Sequence, residues 1–335
     1  MNRPPPAETK LLICVWHPFS LWRPTAEVAA RVRGRFPEMN VVHLPNYDGM
    51  LEEVADADIF VGWSLRPEQF AAARRLKWLH STAAGVAQLM YPELRASGIA
   101  VTNARGVHTI PIAEHILGIL VALARRFPSA YRYQTERRWA QQETWDAALR
   151  PRELHGQTLL IVGLGEIGSA VARLVHPLGM KIWAVTRSGG GTTGLAEKIL
   201  PVARLEEALP QADFVLLAAP ETPETHHLLN ARRLAAMKPS SYLINVSRGS
   251  LVDEAALVKT LRGRAIAGAA LDVTEEEPLP PSSPLWDLDN CILTPHTSGV
   301  SEELWTRQTD LLLDNLERWF SGGELRNRVD LERGY

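Results

Sequence analysis

Three side chains of complementary chemistry recur at one kind of position in this 335-residue chain. Arg248 lies in INVSRGSLVDEAAL, Glu277 in ALDVTEEEPLP and His296 in LTPHTSG, each just past a strand-like apolar run. Reduction of a 2-oxo acid calls for these groups. Hydride arriving at the carbonyl carbon builds negative charge on oxygen, which a fixed guanidinium stabilises while gripping the carboxylate. An imidazole delivers a proton near neutral pH. A neighbouring carboxylate orients an imidazole and favours its cation. Taken singly, Arg248 also reads as a salt-bridge partner, Glu277 as one of a solvated acidic run (Glu275, Glu276, Glu277) and His296 as a satisfied core histidine. Their joint position after strands, downstream of a glycine-rich turn, favours the catalytic reading.

That turn is Gly163-Leu164-Gly165-Glu166-Ile167-Gly168. Leu159 to Val162 leads in as an apolar strand. A helical stripe of Ile167, Val171, Leu174 and Leu178 leads out, and Ile182 to Val185 follows as a second strand. Strand, glycine turn, helix and strand together make a dinucleotide-binding unit. Gly163 permits the bend, Gly165 lets the backbone approach a pyrophosphate, and Gly168 lets the helix pack on the strand. The helix N-terminus then offers N–H groups to the phosphates. An ordinary βα turn is the alternative, and the flanking elements argue against it.

An acid is expected about 20 residues beyond the turn, to bind a ribose 2′-hydroxyl. The second strand instead ends Val185-Thr186-Arg187-Ser188. Arg187 can fork onto a 2′-phosphate, and Thr186 or Ser188 can donate to it. The expectation is NADP(H), with NAD(H) possible. The alternative is a solvated loop arginine with slight selectivity.

The length allows about two domains. Lys+Arg 36 against Asp+Glu 38 gives a net charge of −2, which provides no field for nucleic acid and no polybasic membrane patch. Cys14 and Cys291 both sit in apolar runs, which reads as buried free thiols in a reducing cytoplasm. No Cys/His cluster suggests a metal. The N-terminal apolar run is too short for a signal peptide, and no stretch is long enough to span a membrane.

The elements that must position these groups alternate. Residues 1–9 are proline-rich and expected to be disordered. Strands are predicted at Leu11–Trp16, Val41–Leu44, Ile59–Gly62, Leu76–His80 and Ile99–Asn103, with a helix over Thr25–Phe36. A long helix has Pro111 in its first turn, a stripe of Ile112, Ile116, Ile119 and Leu123, and Arg125-Arg126 before Pro128 at its end. Tyr131 to Arg152 reads as a polar connector. After the glycine unit come strands at Phe214–Ala218, Ser241–Val246, Ile266–Leu271 and Cys291–Leu293. A helix over Glu302–Phe320 ends at Gly322-Gly323. His155, His226 and His227 read as loop residues, and His108 as a surface residue at the start of the long helix.

With ELHGQTLLIVGLGEIG, ETPETHHLLN, INVSRGSLVDEAAL, LDVTEEEP and LTPHTSG in order, the chain resembles the D-isomer-specific 2-hydroxyacid dehydrogenase family, and most of all its glyoxylate/hydroxypyruvate reductase members. The resemblance implies an α/β fold of two doubly wound parallel-sheet (Rossmann/flavodoxin-like) domains with an interdomain cleft. Residues 108–300 would form the nucleotide domain, and 1–107 with 301–335 a split substrate domain. It implies that Arg248 binds substrate, that His296 is the proton donor and acceptor, and that Glu277 pairs with it. Asp272 and the backbone at Val246, Ser247 and Arg248 would contact the nicotinamide, Pro220 and Thr225 the adenine side, and Gly299 the cofactor.

HSTAAGV matches the loop whose backbone N–H groups hold the substrate carboxylate, here Ala84, Gly85 and Val86; a plain turn is the alternative. Trp63, Ser64, Leu65 and Trp139 are read as pocket walls or as core packing. The helix beginning at Pro111 is expected to help form a homodimer. Thr186-Arg187-Ser188, where many relatives carry an acid, is the departure from the family pattern. Two rival readings remain: a non-catalytic corepressor-like nucleotide sensor, and a superfamily dehydrogenase with another substrate. Glu277, where formate enzymes are expected to carry Gln, counts against formate; phosphonate stays open.

Overall fold

The computed structural model describes residues 3–191 and 194–334. The chain divides into two compact units, Met1–His108 with Val300–Tyr335, and Thr109–Gly299. Both are built on parallel sheets.

In the first unit the strands are β1 (Lys10–Cys14), β2 (Asn40–Leu44), β3 (Ile59–Gly62), β4 (Trp78–Ser81) and β5 (Ala100–Thr102), ordered β2-β1-β3-β4-β5. Alternation along β1 sorts its side chains between two faces. Leu11 and Ile13 join Val28 and Val32 of the helix Ala26–Arg35 and Leu312, Leu316 and Trp319 of the last helix, Leu304–Ser321. Leu12 and Cys14 join Met50, Val54, Leu65 and Leu89 on the other face. The last helix thus completes the N-terminal sheet, and its Trp319 stacks on Trp78 with ring centroids 5.5 Å apart.

The second unit contains β6 (Thr158–Val162), β7 (Lys181–Thr186), β8 (Lys198–Pro201), β9 (Phe214–Leu217), β10 (Tyr242–Asn245), β11 (Gly268–Leu271) and β12 (Cys291–Leu293), ordered β12-β11-β10-β9-β6-β7-β8. Order reverses at β6, the kind of switch point where open α/β sheets bind ligands beyond the carboxyl ends of their strands. Leu160, Val162, Val215, Leu217 and Leu243 line one face, and Leu159, Ile161, Phe214, Leu216 and Ile244 the other. The stripe Ile112, Ile116, Ile119 and Leu123 of the helix Thr109–Ala124 is spent inside this second face, against Val171 and Val175.

Four expectations are corrected. Residues 3–9 are ordered, while residues 1 and 2 lie outside the described residues. Arg3 Nη1 donates to the carbonyls of Arg318, Trp319 and Gly323 at the C-terminal end of the last helix, and its guanidinium lies 4.8 Å from the Trp319 ring centroid. The stretch read as a connector carries two helices, Phe127–Thr135 and Gln141–Asp146, neither of which buries a residue. Pro128 therefore starts a helix as well as closing the one before it. The strand β8 was not expected, because its Lys and Pro mark a sheet edge more than a core strand. Finally, Trp139 is 93% exposed and packs in no core, whereas Leu65 is fully buried and Trp63 is half exposed.

Among the described residues no helix is long and apolar enough to cross a membrane. Nor, among the described residues, is any group of three or more His, Cys, Asp or Glu side chains arranged to hold a metal. Cys14 is buried, Cys291 is half-buried, and both are free thiols pushed up to about 12 by burial.

Candidate active site

The glycine turn leaves β6 and enters the helix Glu166–Val175. Gly163 has φ +103°, and a Cβ there would lie 2.5 Å from the Ala218 carbonyl oxygen. At Gly168 a Cβ would overlap the Gly163 carbonyl. Packing within the protein therefore demands both glycines. Gly165 differs: a Cβ there would meet no protein atom within 4 Å. The protein does not need glycine at that position, so the bare backbone faces outward at the N-terminus of a ten-residue helix. A pyrophosphate fits that cradle, since a helix start presents unpaired N–H groups and a favourable dipole.

At the end of β7, Thr186 Oγ1 donates to the Gly190 carbonyl at 2.8 Å and closes a small loop around Arg187 and Ser188. Glu224 is held below its usual carboxylate range by hydrogen bonds from Thr222 and its own backbone, and further by the charge of Arg187. The loop beyond β9 is tied to the turn after β10, where Ser250 Oγ donates to Glu221 Oε1 at 2.7 Å and the Ser250 carbonyl accepts from the His227 N–H at 2.7 Å. It is also closed on itself. Thr225 Oγ1 donates to the Pro220 carbonyl at 2.8 Å and accepts from the Thr222 N–H at 2.8 Å.

Parallel pairing of β10, β11 and β12 brings three further loops to the same sheet edge as the glycine turn. Beyond β10, buried Asn245 clamps the turn that carries Arg248. Its Oδ1 accepts from Ser247 N–H at 3.0 Å, and its Nδ2 donates to the Arg248 carbonyl at 2.9 Å. Ser247 Oγ donates to the Leu217 carbonyl at 2.8 Å, and Val246 points into the core. Gly249 allows the backbone of this turn to press against Thr274, where any Cβ would overlap the carbonyl. The Arg248 side chain is exposed, with Nη1 donating to the Ser247 carbonyl at 2.7 Å.

Asp272, 3% exposed, follows β11 and organises the loop after β12. Its Oδ1 accepts from Thr294 Oγ1 at 2.6 Å and Thr297 N–H at 3.0 Å, and its Oδ2 accepts from Ser298 N–H at 3.0 Å. The Asp272 carbonyl accepts from His296 N–H at 2.8 Å. These bonds hold His296 at φ +53°, a conformation rare outside glycine and asparagine. Burial pushes the Asp272 carboxyl up, but the hydrogen bonds from Ser298, Thr294 and Thr297 outweigh it, and the net shift is downward.

Replacing this residue is diagnostic. Asp272→Asn keeps the size but turns an amide N–H toward a donor. It should destabilise the protein at neutral pH by about 2 kcal/mol, the cost of a buried donor left unpaired. A carboxyl with a lowered folded pKa stabilises above its ordinary value, here 3.8, and loses that contribution as pH falls through the folded value. The gap in thermal midpoint between wild type and Asp272→Asn should therefore be full at pH 7 and close in acid.

His296 Nδ1 meets Glu277 Oε2 at 2.7 Å, and Glu277 Oε1 accepts from Thr274 N–H at 3.2 Å. A carboxylate accepts from Nδ1–H, so Nε2 is the ring nitrogen left to exchange a proton with a ligand. Burial raises the Glu277 carboxyl, yet the His296 hydrogen bond and the charges of His296 and Arg248 bring it below its ordinary value. The field of Arg248 thus reaches the His296–Glu277 pair. A guanidinium, a carboxylate-oriented imidazole and the glycine turn share one sheet edge.

Residues 117–298 match the family model described as "D-isomer specific 2-hydroxyacid dehydrogenase, NAD binding domain". The chain belongs to that family. Dehydrogenases similar to this one include a glyoxylate reductase of Korarchaeum cryptofilum, 37% identical over 86% of this chain and 87% of that protein. Among solved structures, a D-isomer specific 2-hydroxyacid dehydrogenase from Xanthobacter autotrophicus Py2, in complex with NADPH and MES, is similar at 28% identity. Its TM-score is 0.83, with 98% of this chain and 100% of that chain covered. An NADPH-dependent glyoxylate/hydroxypyruvate reductase from Sinorhizobium meliloti, in complex with NADP and malonate, shares 31% identity and a TM-score of 0.75. The match covers 97% of this chain and 98% of that one. This dehydrogenase is accordingly an NAD(P)-dependent oxidoreductase.

In the other unit, Asn103 Nδ2 donates to the Ala84 carbonyl at 2.7 Å. Ala84 and Gly85 are exposed, while Val86 is buried with Leu89. His108 is half-buried, with its ring 6.4 Å from that of Trp22. His227 Nε2 pairs with Glu275 at 2.8 Å, and its ring stacks on His226. Sequence reasoning did not single out Asn245 or Gly249. Their signals were an Asn at a strand end, the usual start of an Asx turn, and a glycine directly after the arginine.

Proposed function

We propose that the protein is an NADP(H)-preferring reductase of small 2-oxo acids, glyoxylate and hydroxypyruvate foremost, acting as a D-2-hydroxyacid dehydrogenase in reverse. The observation that carries the proposal is the 2.7 Å His296–Glu277 pair within the field of Arg248. Bound nicotinamide supplies the hydride to C2 of the oxo acid. Arg248 grips the carboxylate and meets the charge growing on the carbonyl oxygen. His296, oriented by Glu277 through Nδ1, delivers the proton from Nε2. Gly163, Leu164, Gly165, Glu166, Ile167 and Gly168 hold the pyrophosphate, and Arg187 with Thr186 and Ser188 receives a 2′-phosphate. In the first unit, backbone N–H groups at Ala84, Gly85 and Val86 take the substrate carboxylate.

The reading includes a homodimer, for which exposed Phe127, Tyr131, Trp139 and Trp145, following the helix Thr109–Ala124, offer apolar surface.

The test is a panel of glyoxylate, hydroxypyruvate and pyruvate, each with NADPH and NADH. Oxidation of NADPH by the first two is expected; turnover of none overturns the proposal. Arg187→Asp in the same panel should raise the KM for NADPH by at least tenfold and leave that for NADH within about threefold, since only the former carries the phosphate that a new carboxylate repels. Equal losses with both cofactors would refute the role of Arg187.

A further inference from the structure

Among the described residues, three buried polar atoms of the first unit have no partner in its hydrogen-bond network: His80 Nε2, Gln308 Oε1 and Trp319 Nε1. Residues His80 and Gln308 come together at one place. His80 is 1% exposed on β4, and Gln308 is 5% exposed on the last helix. Both border one cavity, whose other walls include Val15, Val61 and Trp305. The cavity measures about 10 Å³ as seen by a water centre, roughly what one water requires.

The surrounding bonds determine what each atom offers. Trp78 Nε1 donates to Thr102 Oγ1 at 2.8 Å, and Thr102 Oγ1 lies 2.8 Å from His80 Nδ1. The Thr102 hydroxyl proton needs an acceptor, and neutral His80 Nδ1 provides it. The ring proton is then on Nε2, which becomes a donor facing the cavity. Burial lowers the His80 pKa to about 4, which keeps the ring neutral. Gln308 Nε2 donates to the Thr82 carbonyl at 2.7 Å. The opposite amide orientation would set two carbonyl oxygens against each other, so Oε1 is fixed as an acceptor. A donor and an acceptor thus border a space the size of one water, whose other walls are apolar apart from Thr82.

We propose that this cavity holds a single structural water, which accepts from His80 Nε2–H and donates to Gln308 Oε1, and that Gln308 is thereby a positioning residue for the loop Ser81–Val86. The chain of bonds runs from Trp78 through Thr102, His80, the water and Gln308 to the Thr82 carbonyl. It locks the carboxamide that fixes Thr82, two residues before Ala84. The positioning role rests on the proposed function, because it assumes that Ala84, Gly85 and Val86 take the substrate carboxylate. The water does not.

A crystal structure of the wild-type protein tests the water directly. One ordered peak within hydrogen-bond distance of both atoms is expected; an empty cavity or a direct His80–Gln308 contact overturns it. Gln308→Met fills a similar volume without either polar end. It should raise the KM for glyoxylate about fivefold, the effect of one lost neutral hydrogen bond, with kcat within twofold and NADPH affinity unchanged. His80→Phe removes the water's donor but keeps the Gln308–Thr82 bond, and should raise that KM by a smaller factor. An unchanged KM in Gln308→Met, or an equal loss of NADPH affinity, overturns the positioning role. A wild-type protein that reduces no 2-oxo acid overturns the proposed function and the positioning role together, while the crystallographic peak still decides the water.

Discussion

His296→Asn is expected to bind NADPH within about twofold of wild type and to lose about 10³-fold in kcat, the usual contribution of a positioned general acid. Asparagine is the right replacement because residue 296 sits at φ +53°, which asparagine tolerates better than alanine does. The Asp272 carbonyl and carboxylate then still hold the loop through backbone N–H groups of residues 296, 297 and 298. Loss of rate can therefore be assigned to the missing imidazole and not to a collapsed loop. Glu277 supports the same assignment. Its carboxyl is held below its ordinary 4.5, so it keeps its charge throughout the neutral range and orients the imidazole there without titrating itself. Fluorescence titration with NADPH and steady-state rates with glyoxylate check the prediction. A kcat loss under tenfold would assign the proton to another donor.

The parts of this site legible in the sequence are those that follow an apolar run. Gly163 to Gly168, Arg248 and His296 each follow a strand, and a parallel sheet sends every such loop to one edge, whereas Asp272 entered only through the family resemblance. What holds those loops was not legible, because it depends on neighbours across the sheet. Asp272 is 22 residues from Thr294 in sequence yet 2.6 Å from it in space, since β11 and β12 pair side by side. The contact of Gly249 with Thr274 arises in the same way from pairing of β10 with β11. The helices Phe127–Thr135 and Gln141–Asp146 escaped notice for a different reason. They bury nothing, so they lack the apolar stripe by which a helix is recognised in sequence. Order at residues 3–9 was missed because it combines a long-range reach, Arg3 to the carbonyls of residues 318, 319 and 323, with a short turn over Pro6–Glu8 that Thr9 closes on the Pro5 carbonyl.

Arg248 should be the other large loss. Arg248→Leu is expected to lower kcat/KM for glyoxylate by about 10³-fold, since a charge-assisted contact to the carboxylate and the stabilisation of the developing oxyanion are removed together. The backbone of the turn should survive the change. Asn245 holds residues 247 and 248 through main-chain groups, and Gly249 packs on Thr274 whatever side chain precedes it. The exposed side chain leaves no core cavity behind. Arg248→Lys separates the two roles. A lysine restores a positive charge but not the planar fork that fits a carboxylate. It should regain much of kcat while KM stays high. If Arg248→Leu raises KM with kcat intact, the guanidinium contributes equally to ground and transition states and serves as a grip alone. Thermal midpoints near wild type for both variants would show that the lost rate comes from chemistry at the site, because a guanidinium with one local main-chain bond adds little to stability.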